Sequence, residues 1–247
     1  MPVRVIILTR ILTLLLLIGA LGGLLASPGA YSQSTQPATP TLSLTAEQWR
    51  QDLRLFAEEL PKRHANAFHY ISKERFDSEV ADLDRRLPLL NGDEAYAGLD
   101  RIANLIGDGH TYIDLPSDDA NFPIDISRFG NDYRIDAIKT GYEKALGARV
   151  LRIDETPIAK AAELLLQLTP ADETESLRER RVEAFLTTGM LLHGMRITAD
   201  RNVARYTLAD DSGAEFTIEA RPMKPAEEQP LPWIWAFKER PLYRQKP

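Results

Sequence analysis

The stretch IANLIGDGHTYIDLP, from Ile102 to Pro116, marks the point at which the pattern of the chain changes. Before it, apolar residues recur at helical spacing; after it, they alternate as they do in strands. Gly107 is a natural helix stop, because glycine readily adopts the left-handed conformation that ends many helices. Thr111 to Leu115 has the pattern of a short strand. The stretch therefore predicts a junction between a helical part and a mixed part, with His110 in the connecting loop.

Three amphipathic helices are predicted upstream of this junction. Thr45 heads a capping-box pattern, and Pro61 is expected to end the helix that follows it. Ser72 is expected to cap a second helix, and a third begins near Asn91 or Asp93. Short connections between three such helices predict a small bundle.

Strands dominate the prediction downstream. The segment ALGARVLRIDETPIAKAAELLLQL, residues 145–168, indicates a strand, a turn at Asp154-Glu155 and a helix with Pro157 in its first turn. Residues 177–192 have a helical pattern, and Asp210-Asp211-Ser212-Gly213 is typical of a hairpin turn. Further strands are expected at residues 122–127, 133–137, 203–208 and 215–220. The fold class predicted for the chain is therefore α+β.

The first 32 residues have the three-part pattern of a signal peptide. Arg4 and Arg10 precede an apolar run at residues 11–25, and small residues follow, with Ala30-Tyr31-Ser32 as a cleavage site. The alternative is an uncleaved anchor helix, although the run is shorter than the ~20 residues that span a bilayer. We therefore expect export to the periplasm or secretion, with membrane contact only through this segment.

The composition excludes several classes of chemistry. The chain has 247 residues, no cysteine and a net charge of −6. Without cysteine there are no disulfides, thiolate nucleophiles or cysteine metal sites. The mild acidity gives no reason to expect nucleic acid as a partner, and no cofactor is predicted.

His110 is the candidate catalytic residue. A neutral imidazole near pH 7 is able to accept a proton from a hydroxyl group, and Asp108, Asp114 or a carboxylate from elsewhere could orient it. The alternative is that His110 is a structural or merely solvated loop residue.

A resemblance to a known family favours the interpretation of His110 as a catalytic residue. The stretches from Trp49 to Leu60, HANAFH at residues 64–69 and Leu99 to Thr111 resemble the N-terminal helical part of the tail-specific, C-terminal-processing serine peptidases, and are similar to their tricorn-like branch. The later stretches FPIDISRFGNDYRIDAI and LGARVLRIDETPIAKAAELL resemble the PDZ-like or linker region that follows in these proteins. The motif IGDGHT is the most specific part of this resemblance.

The resemblance implies a role for His110 and a missing partner. In the tricorn-like branch a histidine of this loop is the general base for a serine in a later α/β domain, whose carboxylate orients the base. In the other branch a serine–lysine pair acts without it, and His110 is then structural. Ser212 is the serine whose sequence context comes closest to that of a nucleophile, but the pattern predicts that it belongs to the hairpin turn. We therefore expect the α/β catalytic domain to be absent from this sequence.

Two further motifs have structural alternatives. His64 and His69 are five residues apart, which does not suit a metal site on a helix, so we predict no metal and a turn or packing role instead. The PDZ-like resemblance implies a peptide groove between a strand and the Pro157 helix, with packing within the fold as the alternative.

The sequence thus predicts the accessory, N-terminal part of an exported serine-type peptidase homologue. It would position a peptide or protein substrate and supply His110 as base, while being inactive alone. The alternatives are an exported peptide- or ligand-binding module without catalysis, and a scaffold. The predicted units are a signal peptide (1–32), a linker (33–43), a helical bundle (44–116), a PDZ-like α+β domain (117–220) and a Pro-rich tail toward the missing domain (221–247).

Overall fold

A computed structural model describes residues 43–116, 121–171, 174–222 and 234–236. These residues form an α+β fold, as predicted. The helices are α1 (Ala46–Arg63), α2 (Lys73–Arg86), α3 (Gly92–Asn104), α4 (Ile158–Leu166), α5 (Glu175–Phe185) and α6 (Gly189–Gly194). The strands are β1 (Ile124–Phe129), β2 (Asp132–Ile138), β3 (Arg149–Ile153), β4 (Thr156–Pro157), β5 (Ala204–Ala209), β6 (Glu215–Ala220) and β7 (Ile234–Trp235).

The first three helices begin where their capping residues predict. Thr45 and Asn91 each form a complete capping box, and the Ser72 hydroxyl accepts a hydrogen bond from the Arg75 N–H. The prediction that Pro61 ends α1 is wrong, because the helix runs through it to Arg63. Proline in the last turn removes only one hydrogen bond of the helix.

Helix α3 contacts the second half of the chain as well as α2. It packs against α6, where a Cβ atom placed on Gly194 would lie 2.5 Å from the Asp93 carbonyl oxygen. The buried Asp93 carboxylate accepts hydrogen bonds from His193 Nδ1 at 2.7 Å and from Arg201 Nη1 at 3.1 Å. Helix α3 is therefore joined to the second half of the chain. The structure does not confirm the predicted three-helix bundle, which remains a prediction.

The strands form one antiparallel sheet in the order β1-β2-β3-β5-β6, with β4 paired to β3 and β7 paired to β2. The predicted hairpin at residues 210–213 is confirmed, because it joins β5 to β6. A strand-addition groove at β3 and the Pro157 helix is not available, because β2 and β5 occupy both edges of β3. A PDZ-like arrangement remains a prediction.

Two element predictions differ from the structure. Residues 111–116 form no strand, because their backbone is held by α3 instead, as described below. The helical pattern at 177–192 divides into α5 and α6, with Leu186 to Thr188 between them. There the Thr187 carbonyl accepts a hydrogen bond from the Phe122 N–H at 2.9 Å, so a contact with the sheet side interrupts the helix.

A continuous hydrophobic core extends from Trp49 on α1 to Ala220 on β6. Within the described parts of the chain, no helix is both long and apolar enough to cross a membrane. The predicted signal peptide, nearly all of the linker and most of the Pro-rich tail lie outside the described residues, so these assignments remain predictions.

Replacing Asp93 tests the join between α3 and α6. Asp93→Ala leaves His193 and Arg201 without their shared acceptor, and is expected to lower the free energy of unfolding by about 2–4 kcal/mol. Asp77→Ala is the matched control, because Asp77 forms only an exposed pair with Lys73 and its loss is expected to cost below about 0.5 kcal/mol. Urea denaturation of both variants measures the difference, and equal losses would contradict the assignment.

Candidate functional site

Two loops meet at the end of α3. The loop between α1 and α2, residues 64–72, lies against the loop that follows α3, residues 107–111. Gly107 has a φ of 79°, and a Cβ atom there would lie 2.6 Å from the ring of Tyr70. Glycine is therefore required both by the backbone conformation and by the close approach of the aromatic ring.

Helix α3 also holds the far end of the second loop. The Tyr96 hydroxyl donates a hydrogen bond to the Ile113 carbonyl at 3.0 Å, and the Ile113 N–H donates to the Asp100 carboxylate. Both backbone groups of Ile113 are thus bound by α3 side chains. His110 therefore lies on a short loop that is fixed at both ends.

Burial raises the pKa of Asp100 to about 7, although hydrogen bonds from Ile113 and Asn104 and the charge of Arg181 act in the opposite direction. Its carboxyl group lines a cavity of about 210 Å³ together with Tyr112 and Asp114 from the segment after His110.

Asp108 is the centre of the candidate site. Its Oδ1 accepts hydrogen bonds from the His110 backbone N–H at 2.9 Å and from the His110 ring Nδ1 at 3.1 Å. Its Oδ2 lies 2.9 Å from His64 Nε2 and 3.4 Å from the Thr111 hydroxyl. Burial raises the pKa of Asp108, but the hydrogen bonds from His110 and His64 outweigh it and hold the pKa below its ordinary value. Asp108 is therefore an ionised acceptor at neutral pH.

The ring of His110 is free to meet another group. Its side chain is 82% exposed, whereas that of His64 is 11% exposed. Because an ionised carboxylate only accepts hydrogen bonds, Nδ1 of His110 carries the proton and Nε2 is left as an acceptor. A carboxylate that orients an imidazole in this way, with the other nitrogen facing outward, is the arrangement of a general base. Of the three orienting groups considered from the sequence, Asp108 makes the contact.

Other candidates from the sequence lie apart from this arrangement. The Ser212 hydroxyl donates to Asp210 at 2.6 Å within the β5–β6 turn, as hairpin chemistry predicts. His69 stacks edge-on against Tyr70 with ring centroids 4.6 Å apart. Among the described residues, no group of three or more acidic or histidine side chains is placed to hold a metal ion.

The outer edge of the sheet at β1 is closed by α5. The Arg128 N–H donates to Glu183 Oε1 at 2.8 Å, and the Arg128 guanidinium pairs with Glu179. An extended peptide that added to this edge would have to displace Glu183 from a backbone donor. The edge therefore gives no support for peptide binding by strand addition.

Comparisons with known proteins give a likeness of fold. No family model matches the chain, and no curated protein matches it. The solved structure of mature CPAF complexed with lactacystin is similar, with a TM-score of 0.54 and 11% identity over 76% of this chain and 35% of that chain. A crystal structure of mature CPAF gives a TM-score of 0.48 and 12% identity over the same shares.

CPAF is a chlamydial serine protease that resembles tail-specific proteases. The likeness shows that this chain shares its fold with a part of the CPAF structure. The likeness does not support the tricorn-like branch. The chain spans about a third of the length of the CPAF structures that it matches.

The pH dependence of stability tests the buried state of Asp100. Its pKa is about 7 in the folded protein and about 3.9 when unfolded, so the folded state keeps a proton that the unfolded state has released. Stability is then full below about pH 4 and falls as the pH rises to about 7. Asp100→Asn is expected to remove this fall, which amounts to about 2–4 kcal/mol.

Urea unfolding between about pH 4 and 8 measures this effect. Asp114→Asn is the control, because Asp114 is an exposed carboxyl of the neighbouring segment, and its stability profile should run parallel to that of the unchanged protein. An Asp100→Asn profile that is also parallel would contradict the assignment.

Proposed function

We propose that this chain is the accessory part of an exported serine-type peptidase homologue, and that His110 is its general base. The observation that carries the proposal is the exposed imidazole of His110, with Nδ1 bonded to Asp108 at 3.1 Å and Nε2 left as an acceptor. The peptidase-like fold shared with CPAF supports the same reaction class.

The proposed chemistry is acyl transfer from a peptide. Nε2 of His110 accepts the proton of a serine hydroxyl as that oxygen attacks the peptide carbonyl, and returns the proton to the leaving amine. Asp108 orients the ring and stabilises the imidazolium that forms. In this proposal, the serine and the oxyanion-binding N–H groups come from a separate α/β domain.

The chain alone is expected to hydrolyse nothing. A base without its nucleophile forfeits most of the rate enhancement of a triad, because the members act as a unit. The purified chain is incubated with a fluorogenic peptide, with and without a serine-directed phosphonate. Turnover that the phosphonate abolishes would overturn the accessory role.

A second experiment tests the role of His110. The reading frame is expressed together with the coding sequence downstream of residue 247, and peptide hydrolysis is compared between variants. His110→Ala is expected to lower kcat/KM at least about 10³-fold, while His69→Ala, in the neighbouring loop, changes it less than about twofold. Full activity of His110→Ala would contradict the proposal, as would a downstream sequence without a serine-bearing α/β domain.

A further inference from the structure

Asp108 is shared by two histidines from different loops. His110 belongs to the same loop as Asp108, but His64 lies 44 residues earlier, at the C-terminal end of α1. The His64 backbone N–H still bonds to the Leu60 carbonyl, so its position is set by the last turn of the helix. Helix α1 thus places the His64 ring beside the Asp108 carboxylate, which also binds the His110 ring.

The hydrogen bonds of His64 allow only one tautomer. Its Nδ1 accepts a hydrogen bond from the Asn66 backbone N–H at 3.0 Å, so that nitrogen carries no proton. Its Nε2 must then carry the proton, and it donates to Asp108 Oδ2 at 2.9 Å. A backbone amide therefore turns Nε2 of His64 into the donor toward Asp108.

We propose that His64 is a positioning residue, which sets the orientation of His110 through Asp108. The inference rests on the proposed function, because it assigns His64 a part in the same site. The His64 donor lies 2.9 Å from Oδ2, closer than the Thr111 hydroxyl at 3.4 Å. Together with the His110 backbone N–H on Oδ1, it keeps the carboxylate from rotating about its Cβ–Cγ bond, so that Oδ1 faces Nδ1 of His110. The Nδ1–H tautomer of His110 is then selected, and its Nε2 lone pair faces outward.

A purely structural role for His64 makes a different prediction. His64 also joins the loop at residues 64–72 to the loop at residues 107–111, so its loss lowers stability in either case. Only the positioning role changes the protonated nitrogen of His110 while the protein stays folded. The tautomer of His110 therefore separates the two roles.

The experiment is nitrogen NMR of the histidine rings in the full chain, which has only four histidines. Spectra are recorded at about pH 8.5, where an ordinary imidazole is neutral. In the unchanged protein, His110 is expected to be mainly the Nδ1–H tautomer and His64 the Nε2–H tautomer. Asp108→Asn, which removes the acceptor charge, is expected to abolish the preference of His110.

Variants at His64 test the positioning role. His64→Ala is expected to move His110 toward the tautomer mixture of a free imidazole. His64→Gln keeps an N–H donor near Asp108 and is expected to restore most of the Nδ1–H form. His69→Ala, an exposed histidine of the same loop, is the control and should leave the His110 signals in place. Thermal unfolding confirms that each variant is folded at the temperature of the spectra.

An unchanged His110 tautomer in folded His64→Ala, together with a changed one in Asp108→Asn, would overturn the positioning role. The positioning role would also be overturned if His64→Gln gave the same His110 tautomer mixture as His64→Ala. Because the measurement needs no catalytic domain, its outcome is independent of the hydrolysis assays. If the proposed function is wrong, the hydrolysis assays fail while the NMR spectra still show the expected tautomers of His64 and His110.

Discussion

The fixed position of α3 is the constraint on which the candidate site depends. Its side chains bind both backbone groups of Ile113, and its C-terminal turn leads through Gly107 in the left-handed conformation. The loop between these anchors is too short to move far. Near the opposite end of the helix, buried Asp93 joins α3 to the second half of the chain. The exposed ring of His110 therefore lies on a loop that is anchored on both sides, and such anchoring is what a positioned proton acceptor needs.

Local signals predicted the elements whose causes are local. The capping residues Thr45, Ser72 and Asn91 bind backbone groups three residues away, and the turn at residues 210–213 closes a hairpin between adjacent strands. The predicted end of α1 at Pro61 failed for a local reason, but two other misassigned elements have distant causes. The strand pattern at 111–115 is overridden by hydrogen bonds from α3, and the helical pattern at 177–192 is interrupted by a backbone bond to Phe122. Neither partner is adjacent in sequence, so periodicity alone could not reveal it.

The same division applies to the candidate site. His110 stood out because glycine and aspartate precede it at a predicted helix-to-strand junction, and Asp108 was one of two nearby carboxylates considered for orienting it, beside one from elsewhere. The contact between His64 and Asp108 was missed, because it depends on how α1 packs beside α3 and not on spacing within a motif. The HANAFH stretch was interpreted as a turn or packing signature. The signal that could have found the contact is that two histidine-containing loops each follow one of the first three helices.

Under the proposed function, the geometry bears on which carboxylate orients His110. By the family resemblance, a carboxylate of the later domain orients the base. Here Nδ1 of His110 already donates its proton to Asp108, and a neutral imidazole with an acceptor at Nε2 has no second proton to offer. A second carboxylate could accept a hydrogen bond from the ring in only two ways. It could displace Asp108 from Nδ1, or it could bind Nε2 after that nitrogen has been protonated. Displacement would also leave His64 without its acceptor, since both histidines use the same carboxylate. Under the proposed function, the arrangement therefore favours Asp108 itself as the orienting group of His110.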